Sequence, residues 1–198
     1  MSQSILIRIA QEEDCIHANT ISEWYIRSSQ ERGTGIATRT PAYLKQKINS
    51  QNAVIAFFEN ELAGFCYIEV FSSGGYVSNS GLIVTNKYRR MGLAKSIKEV
   101  AFNLARDSNP EAKIFGITTS DVVMGINSDL GYRPVSFGQL TQDEEFWKGC
   151  SSCKNYDILT RNKKKMCLCT AMLAQSKNEK MKLDLEHMII QKKSQDNE

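Results

Sequence analysis

The apolar positions of this chain change period several times, and each change marks an element. Ile5–Arg8 is a short β-like run. Glu12, Glu13 and Asp14 follow, where negative charge suits a helix N-terminus. Ile16, Thr20, Ile21 and Trp24 then fall at helical spacing and predict a first helix to about Ser29. Thr40-Pro41 reads as a cap followed by proline at the first helical position, opening a second helix through Ile48. Ala53–Phe58 and Leu62–Phe71 predict a hairpin around Glu59–Glu61, and Ser72–Gly75 predicts a further turn. Gly81–Thr85 is too continuously apolar to be half-exposed and belongs in the centre of a sheet.

From Met91 to Arg106 the period is helical, with Leu93, Ile97, Val100, Ala101 and Leu104 as one stripe and Ser108-Asn109-Pro110 as its end. Ile114–Thr118 reads as another buried strand. Val122–Asp129 reads as a short helix closed at Gly131, and Arg133–Val135 as an edge strand. Asp143–Lys148 predicts a short helix. Tyr156–Leu159 and Met166–Leu173 predict a hairpin around Arg161–Lys165. Helices alternate with strands only in the second half, so the predicted fold is α/β: a mixed sheet with helices on both faces. The expected organisation is one domain over residues 1–174, with its core at about 4–137 and a cysteine-containing hairpin extension at 138–174. A polar, basic tail at 175–198 follows.

The segment from Leu82 to Lys95 carries the most chemistry. It is a buried strand, a basic loop with one glycine, and an amphipathic helix. The N–H groups of a helix's first turn have no internal partners, and the helix dipole adds partial positive charge there. Such a turn binds phosphate. Gly92 lets backbone approach a phosphate and Ala94 keeps the next approach open, while Arg89, Arg90 and Lys95 supply charge-assisted contacts.

Arg89-x-x-Gly92-x-Ala94 resembles the acyl-CoA pyrophosphate loop of the GNAT N-acyltransferases. Leu-x-Val precedes it at that family's spacing, and Leu130-Gly131-Tyr132 stands where the family has Leu-Gly-Phe. The resemblance covers about residues 4–137. It implies a sheet splayed between its fourth and fifth strands, with Leu82, Ile83 and Val84 beside the pantetheine arm and Arg89, Arg90, Met91, Gly92, Leu93, Ala94 and Lys95 around the pyrophosphate. A backbone N–H near Val84 would polarise the thioester carbonyl. The family's proton-donating tyrosine sits four residues before the Leu-Gly-Phe glycine, and here that position is Asn127. Asn127 can hydrogen-bond thiolate or cofactor but cannot serve as an acid, which leaves Ser128, Ser120 or water for that role. Glu69 is the candidate base, against the alternative of a solvated strand residue.

Five blocks extend the likeness to Leu173: Arg32–Ala37, Tyr67–Glu69, Asn79–Val84, Phe146–Cys150 and Cys167–Leu173. They resemble the short, GNAT-only N-acetylglutamate synthases of arginine biosynthesis. That resemblance implies acetyl-CoA as donor, with succinyl-CoA as the alternative, and glutamate as the small-molecule amine acceptor. The Arg27–Arg39 loop fits an anionic acceptor, since Arg27, Arg32 and Arg39 offer planar forks for carboxylates. Two other readings remain open: a protein- or tRNA-modifying acetyltransferase, and a non-catalytic acyl-CoA sensor.

Composition narrows the partners. With 25 Lys+Arg against 22 Asp+Glu the net charge is only +3, so nucleic acid is not an expected partner. The excess lies toward the C-terminal end, where nine Lys/Arg face five Asp/Glu from Arg161 onward. The N-terminus lacks a basic region followed by a long apolar one, and no apolar run approaches the roughly 18 residues that cross a bilayer. A cytoplasmic protein without membrane contact is expected, and the fold is one that often forms homodimers. Cys150-x-x-Cys153 and Cys167-x-Cys169 would flank the predicted hairpin. Four thiolates suit tetrahedral zinc, and four small buried hydrophobes are the alternative.

Overall fold

The computed structural model describes residues 4–32 and 36–181; the side chain of Arg32 lies outside the described residues. Seven strands form one sheet in the order β1-β2-β3-β4-β5-β7-β6. They are β1 (Ile5–Ile9), β2 (Ala53–Phe58), β3 (Glu61–Phe71), β4 (Tyr76–Val84), β5 (Lys113–Thr118), β6 (Arg133–Val135) and β7 (Thr170–Ala174). The helices are α1 (Ala18–Arg32), α2 (Pro41–Asn49), α3 (Leu93–Ser108), α4 (Asp121–Asp129), α5 (Glu144–Lys148) and α6 (Tyr156–Arg161). Among the described residues only the β4–β5 pair is parallel.

Strand alternation divides the core. Cys66 and Ile68 of β3, Val77 of β4 and Ile114 of β5 point to one face and pack under α3 around Leu93, Ile97, Ala101 and Ala105. Phe65 and Tyr67 point to the other face and meet Ile21 and Tyr25 of α1 and Leu44 and Ile48 of α2. On that second face, at the far end, Phe115, Ala171 and Leu173 carry a separate aromatic cluster with Phe146, Trp147 and Leu159. Helices therefore cover both faces, as the pattern predicts.

The local chemistry of the caps also holds. The Thr40 hydroxyl accepts from the Tyr43 N–H at 3.2 Å, with Pro41 in the first turn of α2. The Ser120 hydroxyl accepts from the Val123 N–H and opens α4, and Gly131 follows that helix at φ 90°. Pro134 sits in β6 at the sheet edge, where a missing N–H costs no ladder bond.

Two expectations fail. Tyr156–Leu159 is not a strand but the start of α6, whose Leu159 is buried in the aromatic cluster. A four-residue apolar run has no period of its own, and Asp157 and Arg161 at the two ends suit a helical turn. The second half of the predicted hairpin is shorter than expected, since β7 begins only at Thr170 and pairs antiparallel with β5 and β6. The fourth strand is longer than its apolar run, because Tyr76–Ser80 also pairs with β3. No described helix is long and apolar enough to cross a membrane.

Candidate functional site

β4 and β5 begin side by side and then part. They pair only at Tyr76–Lys113, Val77–Ile114 and Ser78–Phe115, although β4 continues to Val84 and β5 to Thr118. Beyond Ser78 the β5-facing edge of β4 is left open. A bulge accompanies the parting: the β3–β4 register shifts between Phe65 and Tyr67, and Gly81 adopts φ 67°. A side chain at Gly81 would put its Cβ 2.2 Å from the Tyr67 ring. The Tyr25 hydroxyl, fully buried on α1, donates to the Gly81 carbonyl and fixes the bulge from the second face.

A cavity of about 590 Å³ runs through this opening. Tyr25, Arg39, Tyr43 and Glu69 line it from the α1–α2 face, and Lys98 and Asn127 line it from the α3–α4 face. The opening thus joins two compartments through the sheet. On the α3 side, β4 leads into a basic turn. Arg90 lies at φ 65° and Gly92 at φ 80°, so the chain reverses in left-handed conformation before α3 begins. The Lys95 N–H reaches the Gly92 carbonyl at 3.0 Å, and the N–H groups ahead of it are those that helix geometry leaves free. Arg89, Arg90 and Met91 are exposed. Arg89 Nε donates to the Val84 carbonyl at 3.3 Å, and Lys95 pairs with Asp129 at 2.9 Å.

The α1–α2 side is built from side chains. Arg39 Nε donates to the Tyr67 hydroxyl at 2.6 Å, and one terminal nitrogen donates to the carbonyls of Thr38 at 2.9 Å and Gly149 at 3.1 Å. It has no carboxylate partner among the described residues. Glu69 also faces the cavity, and both its oxygens are engaged: Lys47 pairs with one and the Tyr43 hydroxyl donates to the other at 2.8 Å. Burial, the nearby Tyr67 oxygen and the Glu69 carboxylate push the Tyr43 hydroxyl far up, so it stays protonated.

The structure sorts the remaining expected residues. Of the three arginines, Arg39 enters the cavity. Arg27 is exposed and lines a second hollow of about 210 Å³ with Ile83, Val84 and Arg89, and the Arg32 side chain is outside the described residues. Leu82 lines the main cavity. Asn127 is buried at its wall, with Nδ2 donating to the Met172 sulfur at 3.6 Å and Oδ1 without a partner. Ser128 is exposed and outside the cavity, because α4 turns it away from the opening. Ser120 lines the cavity, with its hydroxyl spent on the helix cap.

The four cysteines of the expected zinc site come near one another at the cavity wall. Cys150, Cys153, Cys167 and Cys169 all line the cavity near α6, but among the described residues no group of three or more His, Cys, Asp or Glu is arranged to hold a metal. Cys167 and Cys169 lie in irregular chain before β7, so strand alternation does not align them. Burial pushes the Cys150 thiol up to about 11, and burial with Cys167 as neighbour pushes Cys169 up as well. Cys150, Cys167 and Cys169 pack against the aromatic cluster.

Sequence reasoning missed Tyr25, Tyr43 and Tyr67, whose roles depend on partners far along the chain. It also missed Lys98, for which there was a signal. A lysine four residues after Ala94 and three before Ala101 sits on the apolar stripe, not opposite it.

Comparison with solved structures places this architecture. N-acetylglutamate synthase from Neisseria gonorrhoeae, complexed with coenzyme A and N-acetyl-glutamate, matches 88% of the chain with a TM-score of 0.61 at 16% identity. An acetyltransferase of the GNAT family from Streptococcus pneumoniae matches 87% with a TM-score of 0.58 at 14% identity. The chain has the GNAT acetyltransferase fold. Rv2747 from Mycobacterium tuberculosis, solved in complex with CoA, shares that fold over 86% of the chain, with a TM-score of 0.60 and 15% identity. The match spans 35% of the N. gonorrhoeae chain but 98% of Rv2747 and 99% of the S. pneumoniae protein. No family profile and no curated protein matches the sequence.

Proposed function

We propose that this GNAT-fold chain is an acetyl-CoA-dependent N-acetyltransferase acting on a small anionic amine, with glutamate as the acceptor. The observation that carries the reading is the cavity through the β4–β5 opening, which holds an arginine without a carboxylate partner among the described residues, while β4 leads from that opening, outside the cavity, into a helix turn with free N–H groups. In this reading the pyrophosphate rests on the turn at Gly92–Ala94, with Arg89 and Arg90 as counter-charges. Pantetheine runs along the open edge of Leu82–Val84, and an edge N–H polarises the thioester carbonyl. Arg39 takes an acceptor carboxylate through its planar fork. Glu69 is the base, reached through the Tyr43 hydroxyl that donates to it. Asn127 offers its unpartnered Oδ1 to a pantetheine amide.

One observation favours a second reading. Asn127 stands where the family has its acidic tyrosine, as it would in a non-catalytic acyl-CoA sensor. Release of CoA from acetyl-CoA, followed across the twenty amino acids and repeated with succinyl-CoA on the best of them, separates the two. Turnover led by glutamate is expected. Turnover confined to amines without a carboxylate removes Arg39 from the acceptor site. CoA binding with no turnover moves the reading to a sensor or a macromolecular acceptor.

A further inference from the structure

Lys98 is the least expected residue at the opening. It lies on α3, is 2% exposed, and lines the cavity beside Asn79, Gly116 and Asn127. Its ammonium donates to the Asn79 carbonyl at 3.2 Å. That carbonyl belongs to the first β4 residue past the paired stretch, and it points across the gap: a Cβ on Gly116 would stand 3.4 Å from it. Lys98 is therefore at the apex of the V.

The groups packed around Lys98 give it no negative charge. On β3 is Cys66, whose thiol burial raises to about 11. Ahead of β6 is Tyr132, whose ring is 5.8 Å from the ammonium and whose hydroxyl burial pushes far up. β4 and α4 contribute the neutral Asn79 and Asn127, and β5 contributes Gly116. On α3 itself the neighbouring Glu99 points to solvent. Burial lowers the Lys98 ammonium below its ordinary value. A second observation points to a missing ligand. Asn127 Oδ1 is buried without a partner, although Asn127 lines the same cavity, whereas Asn79 Nδ2 has the Tyr132 hydroxyl as its neighbour. A buried cation with one neutral acceptor is an unbalanced site unless something negative arrives, and an unpartnered amide oxygen beside it leaves room for a polar ligand.

We propose that Lys98 receives the departing thiolate, supplying the proton that the family's tyrosine would otherwise give. The inference rests on the acetyltransferase reading. The acceptor nitrogen attacks the thioester carbonyl and forms the C–N bond. As the C–S bond breaks, its electron pair goes to sulfur, and an Nζ proton of Lys98 moves onto that sulfur. The proton lost by the acceptor nitrogen passes through solvent and restores the ammonium, so the products are the amide and free CoA thiol. The depressed ammonium is a better donor than an ordinary lysine, because its acidity is closer to that of a thiol.

Two measurements test this. In the first, the thiol of bound CoA is titrated by difference absorbance against CoA lacking its sulfur, on the wild-type chain and on Lys98→Met. The thiolate should form at lower pH on the wild type and return toward the pH of free CoA in the variant. The second is the pH profile of kcat. The wild type should lose activity as pH rises through the Lys98 ammonium. Lys98→Met should be lower by about 10²-fold with that alkaline limb gone, and Lys98→Arg, which keeps the cation but not a titratable one, should fold and bind CoA. Equal thiol titration in two variants that both bind CoA, or an unchanged alkaline limb, overturns the proposal and leaves Lys98 as a cap on the Asn79 carbonyl. A wild type that binds no CoA overturns the acetyltransferase reading, and this inference with it. CoA binding and thiol perturbation without turnover would sink only the amine-acceptor reading.

Discussion

The two sides of the β4–β5 opening, here its two mouths, are built on opposite principles. The α3 mouth lies beyond the cavity wall, to which it gives only Leu82; it comes from one continuous stretch, Leu82 to Lys95, and offers backbone: open strand edge, left-handed turn and free N–H groups. Its cations are exposed, and Lys95 is already paired. The α1–α2 mouth gathers side chains from α1, α2, β3, the segment before α2 and the segment after α5, and among the described residues its one unpaired cation is held by three neutral oxygens. Backbone recognition suits a ligand that every member of a fold shares, because most side chains there can change without moving an N–H. Side-chain recognition suits a ligand that one protein must choose, because each contact can be altered alone.

The largest expected effect comes from breaking the side-chain mouth. Arg39→Met should lower kcat/KM for the acceptor by about 10²-fold or more, the scale for losing one partner of a buried charge pair. CoA affinity, measured by calorimetry, should stay put. Arg27→Met is the control, since Arg27 sits with Arg89 outside the cavity. It should spare acceptor KM and weaken CoA only slightly. If the two variants behave alike, the division between mouths is wrong.

The backbone mouth should answer to a different kind of change. A Cβ at Gly92 meets no atom within 4 Å, so the protein has room for one. The φ of 80° is nevertheless a conformation that costs other residues about 1–2 kcal/mol, and the empty space is where a phosphate would lie. Gly92→Val should weaken CoA binding about tenfold or more while leaving the acceptor mouth formed. Unchanged affinity would remove the phosphate from this turn.

The same contrast decides what could be read from the sequence. The α3 mouth was legible because its residues are neighbours in the chain: a buried run, a glycine and an amphipathic stripe suffice. Arg39 was legible as one of three arginines in a loop, but nothing local separated it from Arg27. What separates them is Tyr67, 28 positions away, and Gly149, 110 positions away. Glu69 was expected from a strand that faces the cleft, whereas its partners Lys47 and Tyr43 sit on α2 and had no local signal. α6 was misread because a short apolar run carries no period.

The smallest expected effect concerns the joint between the mouths. α3 carries both the Gly92 turn at its start and Lys98 in its second turn, so its height over the sheet sets both. Gly64 of β3 fixes that height: a Cβ there would stand 2.6 Å from Ile97 Cδ1 and 3.0 Å from the Ile83 carbonyl. Gly64→Ala should destabilise the fold by about 1–3 kcal/mol in urea unfolding, as overpacking does. Ile97→Val removes the clashing methyl and alone should cost about 0.5–1.5 kcal/mol. Together they should cost less than the sum, because the second change makes room for the first, but not zero, because the Ile83 carbonyl is backbone and cannot yield in the same way. Strict additivity would mean that α3 is free to lift, and that the turn and the apex lysine are not held in register through this contact.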